Sequence, residues 1–235
     1  MDTKITLKNI VTSNPSSYKI MENYGLDYCC GGNITLEEAC KEKSLDLNEI
    51  TAQIEASKRI ESDIDVDKLS LSDLIDHIES THHVFMKKEI PQILELLKKV
   101  VNRHNTKDLV NLQKIFQTLV DDITQHLEKE ETILFPAVKE LDKTGEIKNF
   151  ACVDKTNNPL ATIGNPINQM EMEHVVVGNL LKEINSIIDK DDFIQCTSLE
   201  ILHNKLKNLE TDLHRHIHKE NYVLFPKALK KENCC

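Results

Sequence analysis

Hydrophobic residues recur every three or four positions along four long stretches of this chain. That spacing lines apolar side chains along one side of an α-helix and polar side chains along the other. It predicts helix A at about 71–102, helix B at about 107–142, helix C at about 166–189 and helix D at about 196–231. The A–B and C–D connections are short, which favours antiparallel neighbours. The expected fold is therefore all-α, an antiparallel four-helix bundle.

A smaller helical module is predicted ahead of the bundle. Its three helix signals are a proline start with a glycine stop, a capping box and an aspartate N-cap. These signals lie at Asn14-Pro15 and Gly25, at Thr35 and Glu38, and at Asp46. We therefore expect a small N-terminal helical domain over 1–57, a charged and weakly periodic linker over 58–70, and the bundle over 71–231.

Composition and charge restrict the fold class, the partners and the cellular compartment that can be expected. Six Gly, six Pro and no Trp among 235 residues fit a helical chain. The formal net charge of −10 argues against nucleic acid or an anionic membrane as the main partner. The N-terminus has no apolar signal region and no stretch approaches the length of a membrane span, so a cytoplasmic protein is expected. An odd count of seven Cys fits reduced thiols better than a disulfide framework.

The most informative polar residues lie inside the apolar stripes. Residues 126–136 read HLEKEETILFP, and residues 216–226 read HIHKENYVLFP. Each phrase places a His and a Glu four residues apart, so both side chains share one helix face. A single His lies on the stripe of helix C as well. The polar members of these stripes are His126, Glu130, His174, His216 and Glu220.

Such a pattern predicts a pair of metal ions. Burying an ionised Glu without a partner costs on the order of several kcal/mol, and no Lys or Arg lies on these three stripes. Metal ions would supply the missing positive charge. Imidazole and carboxylate ligands suit iron, manganese or zinc. Four terminal His and two bridging Glu would leave each ion an open position, which favours a redox-active or labile pair over structural zinc.

Spacing alone leaves two alternatives open. His82 and His83 are adjacent on helix A, and only one can point to the bundle centre. Periodicity mildly favours His82, and the repeat spacing does not decide. The rival arrangement is of the ferritin type, with Glu-x-x-His pairs at Glu79/His82 and Glu171/His174. That arrangement leaves the histidine that opens each repeated phrase without a role.

Further side chains extend the candidate site. Asp122 lies one turn before the first phrase, and Glu173 directly precedes the helix C histidine, so both are candidate hydrogen-bond partners of ligand histidines. The Phe of each Leu-Phe-Pro ending is placed to shield the ions from water. Cys29 and Cys30 are followed by two Gly, which predicts a tight turn presenting two thiols for redox cycling or transient metal binding.

Together these residues resemble the repair-of-iron-centres family, di-iron iron–sulfur cluster repair proteins with a hemerythrin-like domain. The resemblance covers nearly the whole chain, with the DYCCGG signature at 27–32, both repeated phrases and the helix C histidine. The family's helix A has a His eight residues before a Pro, here Pro91, which points to His83 rather than His82. The same register includes His104, to which no role is assigned. The metal ligands that the resemblance implies are His83, His126, Glu130, His174, His216 and Glu220.

The resemblance implies two iron ions in an oxo-bridged non-haem di-iron centre, with the histidines terminal and the glutamates bridging. The implied function belongs to the stress response: the protein would repair iron–sulfur clusters damaged by nitric oxide or oxidants. It would do so by giving iron to damaged or apo iron–sulfur proteins. The alternatives are reduction of nitric oxide, or binding of oxygen or nitric oxide, at the same centre. Enzymatic activity, client proteins, electron donor and oligomeric state, a dimer included, stay open at this point.

Overall fold

The predicted all-α class is confirmed. The computed structural model describes residues 3–14, 17–28, 31–57, 66–147 and 162–232, and within them the only β-type pairing is one isolated bridge between Thr6 and Thr35. In chain order the α-helices are α1 Leu7–Ser13, α2 Tyr18–Asn23, α3 Leu36–Glu42, α4 Leu47–Ser57, α5 Leu71–Ile78, α6 Val84–His104, α7 Lys107–Lys129, α8 Phe135–Thr144, α9 Gly164–Ile188, α10 Thr197–Lys219 and α11 Phe225–Glu232. A 3-10 turn covers Val66–Lys68, and π-helical turns cover Glu79–His83, Glu130–Leu134 and Glu220–Leu224.

The four predicted long helices are continuous rods. Helix A joins α5 to α6, helix B joins α7 to α8 and helix D joins α10 to α11, each through a π-helical turn, and helix C is α9. Local chemistry sets their ends. Thr106 caps the start of helix B by accepting the backbone N–H of Leu109 at 3.3 Å. Helix A stops at Asn105 and helix B at Gly145, with φ of 45° and 77°. Left-handed residues of this kind commonly end helices.

The described part of the N-terminal module contains four helices, one more than the pattern predicted. The sequence missed α1 because a seven-residue helix is too short to show a clear period. The capping box of α3 is present: Thr35 Oγ1 accepts the N–H of Glu38 at 3.2 Å, and Glu38 Oε2 accepts the N–H of Thr35 at 2.9 Å. Pro15 and linker residues 58–65 lie outside the described residues.

The module packs directly against the bundle, and their apolar residues form one buried cluster. Arg215 on helix D donates to the carboxylate of Glu22 from Nε at 2.8 Å and from Nη2 at 2.7 Å. Its guanidinium lies 5.0 Å from the ring centre of Tyr18. Tyr28 is fully buried, with its ring edge-on to His218. A module of this size has too little core to be stable alone, so the shared cluster stabilises it.

Two apolar clusters make up the interior of the bundle. The larger is the one shared with the module, and the smaller lies at the other end of the bundle, around Ile75, Phe135 and Phe225. Every long helix contributes to both clusters, and each passes from one to the other near its middle or at its π turn. No helix in the described ranges is both long enough and apolar enough to cross a membrane.

Candidate metal centre

A layer of buried polar side chains separates the two apolar clusters. On helix A the change of cluster falls between Ile78 and Met86, and on helix C it falls between Met170 and Val177. The polar side chains lie in these gaps, at one level of the bundle, and none is more than 4% exposed. We call them the polar layer: His83, His126, Glu130, His174, His216 and Glu220.

The π-helical turns lie at the level of this layer. Glu130 and Glu220 each begin one, and His83 ends the third. A π turn holds an extra residue and shifts the angular position of everything after it; such turns are frequent at functional sites. His82 and His83 are therefore both buried, and His83 is the one in the layer. The 3.6-residue period favoured His82 over His83, and this preference was wrong because helix A is not a regular α-helix at these residues.

The layer contains two groups of four candidate ligands, which share both glutamates. One group is completed by His83 and His216, and the other by His126 and His174. Within each group the candidate ligand atoms all lie within 4.8 Å of one another. The two imidazoles of each group approach each other through Nε2, at 3.1 Å in both cases. Two metal positions side by side are therefore available.

Each glutamate points one oxygen into each group. Glu130 Oε2 lies 3.5 Å from Nε2 of His83, and its Oε1 lies 3.2 Å from Nε2 of His126. Glu220 repeats this arrangement from the opposite helix, with distances of 3.0 and 3.2 Å to one imidazole of each group. A carboxylate placed in this way can bridge two ions.

The imidazole nitrogens and carboxylate oxygens of the polar layer are suited to binding metal ions. All four oxygens of Glu130 and Glu220 are buried, and none makes a well-aligned hydrogen bond with a described residue; their polar neighbours are the imidazole Nε2 atoms. Leaving a buried carboxylate unpaired costs on the order of several kcal/mol. Cations bound by these oxygens and by the four Nε2 atoms would remove that cost. Imidazole nitrogen with carboxylate oxygen suits iron, manganese or zinc.

Burial and the neighbouring charges shift the pKa values of three groups of the layer. Burial raises the pKa of Glu130, and repulsion from Glu220 raises it further, against the opposing pull of His126. Burial also acts to raise the pKa of Glu220, but His216 and His174 hold it well below its ordinary value. Burial lowers the pKa of His126, yet the neighbouring carboxylates outweigh burial and raise it to about 10. Metal binding would displace protons from these groups, since ligands must be deprotonated.

Two of the histidines are oriented by the residue that directly follows a glutamate of the polar layer. Glu131 Oε1 lies 2.8 Å from Nδ1 of His83, and Asn221 Oδ1 lies 2.8 Å from Nδ1 of His174. An acceptor at Nδ1 keeps the proton there and leaves Nε2 free for a metal. Neither residue was predicted from the apolar stripes. The signal was available, because they occupy the same place in the two repeated phrases.

Glu173 is a hydrogen-bond partner of a layer histidine, but not of its neighbour on helix C. Its Oε2 lies 2.9 Å from Nδ1 of His126, and its Oε1 accepts from Lys129 at 2.6 Å. The hydrogen bond from His126 is the main cause of its lowered pKa, about 2. Asp122 is half-buried and is not the partner of His126, because both ring nitrogens of that histidine face other groups.

The ferritin-type alternative is not assembled in the structure. His82 is buried beside the layer, but its Nδ1 lies 2.8 Å from Asp212 Oδ1 and its Nε2 lies 2.7 Å from Lys219 Nζ. Glu79 accepts from a lysine of α8 at 2.9 Å, and Glu171 is exposed. Neither of these glutamates therefore reaches the polar layer.

Both Leu-Phe-Pro endings place a ring against a layer histidine. Phe135 stacks on His83 with the ring centres 5.6 Å apart and the planes 21° apart. Phe225 stacks on His174 at 6.2 Å and 5°. Both Phe are fully buried in the smaller apolar cluster. They close the layer on that side and restrict the tilt of the two imidazoles.

The candidate redox thiols Cys29 and Cys30 lie outside the described residues, so their role stays a prediction. The flanking chain shows why glycine follows them. A Cβ on Gly32 would lie 2.2 Å from the carbonyl oxygen of Tyr28, so no other residue fits without moving the backbone. His104, unassigned from sequence, lies far from the layer, with Nε2 3.6 Å from the thiol of the cysteine that precedes helix D.

Comparison with known proteins gives matches along nearly the whole chain. The hemerythrin HHE cation-binding domain matches residues 73–228, and the ScdA-type N-terminal domain, described as a domain of unknown function, matches residues 3–58. A probable iron–sulfur cluster repair protein of Haemophilus influenzae is 32% identical over 237 residues, covering 96% of this chain and 97% of that protein. The iron–sulfur cluster repair protein ScdA of Staphylococcus haemolyticus is 29% identical, covering 93% and 95%. The iron–sulfur cluster repair protein YtfE of Escherichia coli is 32% identical, covering 96% and 97%.

Proposed function

The chain belongs to the iron–sulfur cluster repair family with a hemerythrin HHE cation-binding domain, and from this premise we propose that its polar layer holds two iron ions and supplies iron to damaged iron–sulfur clusters. The proposed ligands are the six layer residues, His83, His126, Glu130, His174, His216 and Glu220, through Nε2 and carboxylate oxygens. An oxygen bridge between the ions completes the proposed centre. Iron bound there would supply an exchangeable cation for cluster rebuilding.

The observation that carries the proposal is the sharing of both carboxylates by the two groups. A single metal would need only one oxygen from each glutamate. Here each of Glu130 and Glu220 directs its second oxygen into the other group, and all four oxygens are otherwise unpaired in the described part of the chain. This pattern supports two ions over one.

The proposed ligand set also favours exchangeable iron. Two imidazoles and two carboxylate oxygens would give each ion four protein ligands. Iron in mixed nitrogen and oxygen surroundings commonly takes more ligands than four, so positions stay open for an acceptor or a small molecule. The proposed partners are damaged or apo iron–sulfur proteins. The cytoplasm is the proposed compartment, because reduced thiols and ferrous iron are both favoured there.

Iron transfer to an apo iron–sulfur scaffold protein tests this function. The ferrous protein, at two iron ions per chain, is mixed anaerobically with the scaffold and a sulfide source, and cluster formation is followed by absorbance. We expect transfer by the wild type and by Glu128→Ala, whose exposed side chain lies two positions before Glu130 on the same helix. Glu130→Ala and Glu220→Ala should bind little iron and transfer none. Full transfer by an iron-free variant would refute the proposal.

Reduction of nitric oxide is the second candidate, and one structural feature favours it. A cavity of about 480 Å³ lies between helices A and B, with apolar walls that include Met86, Ile123 and Leu127. Its lining extends to Glu131, the hydrogen-bond partner of His83. Such a cavity could admit a small apolar molecule towards the layer. Anaerobic measurement of nitrous oxide per iron pair distinguishes the two functions; no gas above a free-iron blank would exclude this one.

A further inference from the structure

The two halves of the polar layer differ in the residues that surround them, although the repeat relates one to the other. His126 corresponds to His216, and a lysine follows each of them three residues later. The positions that directly precede the single histidines of helices C and A also correspond. They carry Glu173 on helix C and His82 on helix A. A carboxylate in one half is therefore replaced by an imidazole in the other.

In the half with the carboxylate, both layer imidazoles are held at Nδ1. Glu173 Oε2 lies 2.9 Å from Nδ1 of His126, while its Oε1 accepts from Lys129 at 2.6 Å and from a glutamine one turn earlier at 2.8 Å. These donors fix the carboxylate in one orientation. The second imidazole of the group, His174, is held by Asn221 at 2.8 Å.

In the other half, His82 does not provide the same support to His216. The two rings are close, with centres 5.7 Å apart. However, the ring nitrogens of His82 face Asp212 at 2.8 Å and Lys219 at 2.7 Å. The polar contacts of His216 with described residues all involve Nε2, so none of those residues holds its Nδ1. In this group His83 alone has an outer partner among the residues that the structure describes, namely Glu131.

We propose that the ion bound between His83 and His216 is the more weakly held of the two and is the one released first. Outer partners fix the tautomer and the orientation of a ligand histidine, and loss of one typically costs about 10–100-fold in metal affinity. This inference rests on the proposed two-ion centre and assigns iron supply to one of its two positions. The ion leaves as Fe²⁺, so no electron is transferred; bonds to protein ligands are exchanged for bonds to the acceptor.

Chelation kinetics provide the first test. The full chain is loaded anaerobically with two Fe²⁺ and mixed with an excess of a colorimetric ferrous chelator. We expect two phases of equal amplitude, one iron each, with rates that differ by about 10-fold or more. A single phase that releases both ions would overturn the inference while leaving the two-ion centre intact. A chain that binds no iron would overturn both the inference and the proposed function.

Exchanging the two corresponding residues shows which ion is released in which phase. His82→Glu places a carboxylate beside Lys219, as Glu173 lies beside Lys129, and should slow the fast phase about 10-fold or more. Glu173→Gln should accelerate the slow phase and leave the fast phase unchanged. Glu171→Gln, at an exposed position of the same helix, is the matched control and should change neither phase. If Glu173→Gln accelerates the fast phase, the assignment is wrong.

The occupancies of the two metal positions can also be measured directly in the wild type. This measurement tests the assignment even if His82→Glu does not fold. Crystals of the iron-loaded wild type are soaked in chelator until about half of the iron is lost. Anomalous scattering at the iron edge then gives the occupancy of each position. We expect the position between His83 and His216 to be the emptier one. Equal occupancies, or a deficit at the other position, would overturn the inference.

Discussion

Replacing Glu130 by Gln should change the stability of this protein in opposite directions with and without metal. In the metal-free protein, both carboxylate oxygens of Glu130 are buried, and their polar neighbours His83 and His126 make no well-aligned hydrogen bond to them. Burial and the nearby Glu220 raise its pKa above the ordinary value. A carboxyl group whose pKa rises on folding contributes its full stability below its unfolded pKa and loses that contribution as the pH rises through its folded pKa.

The magnitude follows from the removal of one buried negative charge. Gln has nearly the same shape and carries no charge, so the variant does not bury an ionised group at this position. At pH 8 we therefore expect the metal-free variant to be more stable than the metal-free wild type by about 1–3 kcal/mol. The difference should shrink as the pH falls through the raised pKa of the folded wild-type carboxyl group, and it should be smallest below the ordinary pKa of the unfolded chain, about 4.3.

With metal the sign should reverse. A ligand present at 1,000 times its Kd stabilises a folded protein by about 4 kcal/mol. The amide supplies one neutral oxygen in place of two charged ones, so the variant should lose most of this stabilisation. Urea unfolding at pH 8, once with excess chelator and once with anaerobic Fe²⁺, measures both effects, and Glu128→Gln is the exposed control. A metal-free Glu130→Gln protein less stable than metal-free wild type would refute the reasoning.

Three further perturbations probe the surroundings of the layer. Arg215→Met removes the two hydrogen bonds to Glu22 and should lower the free energy of unfolding by about 1 kcal/mol. Amide hydrogen exchange should then increase over residues 3–57; unchanged exchange there would show that Arg215 does not hold the N-terminal module against the bundle. Phe225→Leu removes a ring stacked on a layer imidazole, and should cost under about 1.5 kcal/mol by thermal unfolding and accelerate metal release. Burial acts to raise the pKa of Asp142, but Lys231 and Ser72 outweigh burial and lower that pKa. The stability that Asp142 contributes should therefore be present at neutral pH and lost as the pH falls through the lowered pKa. In Asp142→Asn this loss of stability in acid should be smaller, which urea unfolding midpoints between pH 7 and pH 3 would measure.

Periodicity and repetition predicted the bundle because both are local properties of the chain. The apolar stripes placed all four long helices within about two residues of their observed ends. The repeated phrase singled out four of the six polar-layer residues and the helix C stripe a fifth, since a polar residue inside an apolar stripe is visible without coordinates. The short α1 helix was missed for the converse reason: seven residues do not establish a period.

The sequence by itself determined that this is a helical bundle with imidazoles and carboxylates inside, because the spacing of residue types along a helix fixes which side chains share a face. Only the tertiary structure decided which residues surround that layer. The π turn that ends at His83 changes the angular register of helix A, which a regular period does not anticipate. The pairing of Glu173 with His126, and of His82 with Asp212, joins different helices, so it depends on how the rods pack and not on the spacing along any one of them.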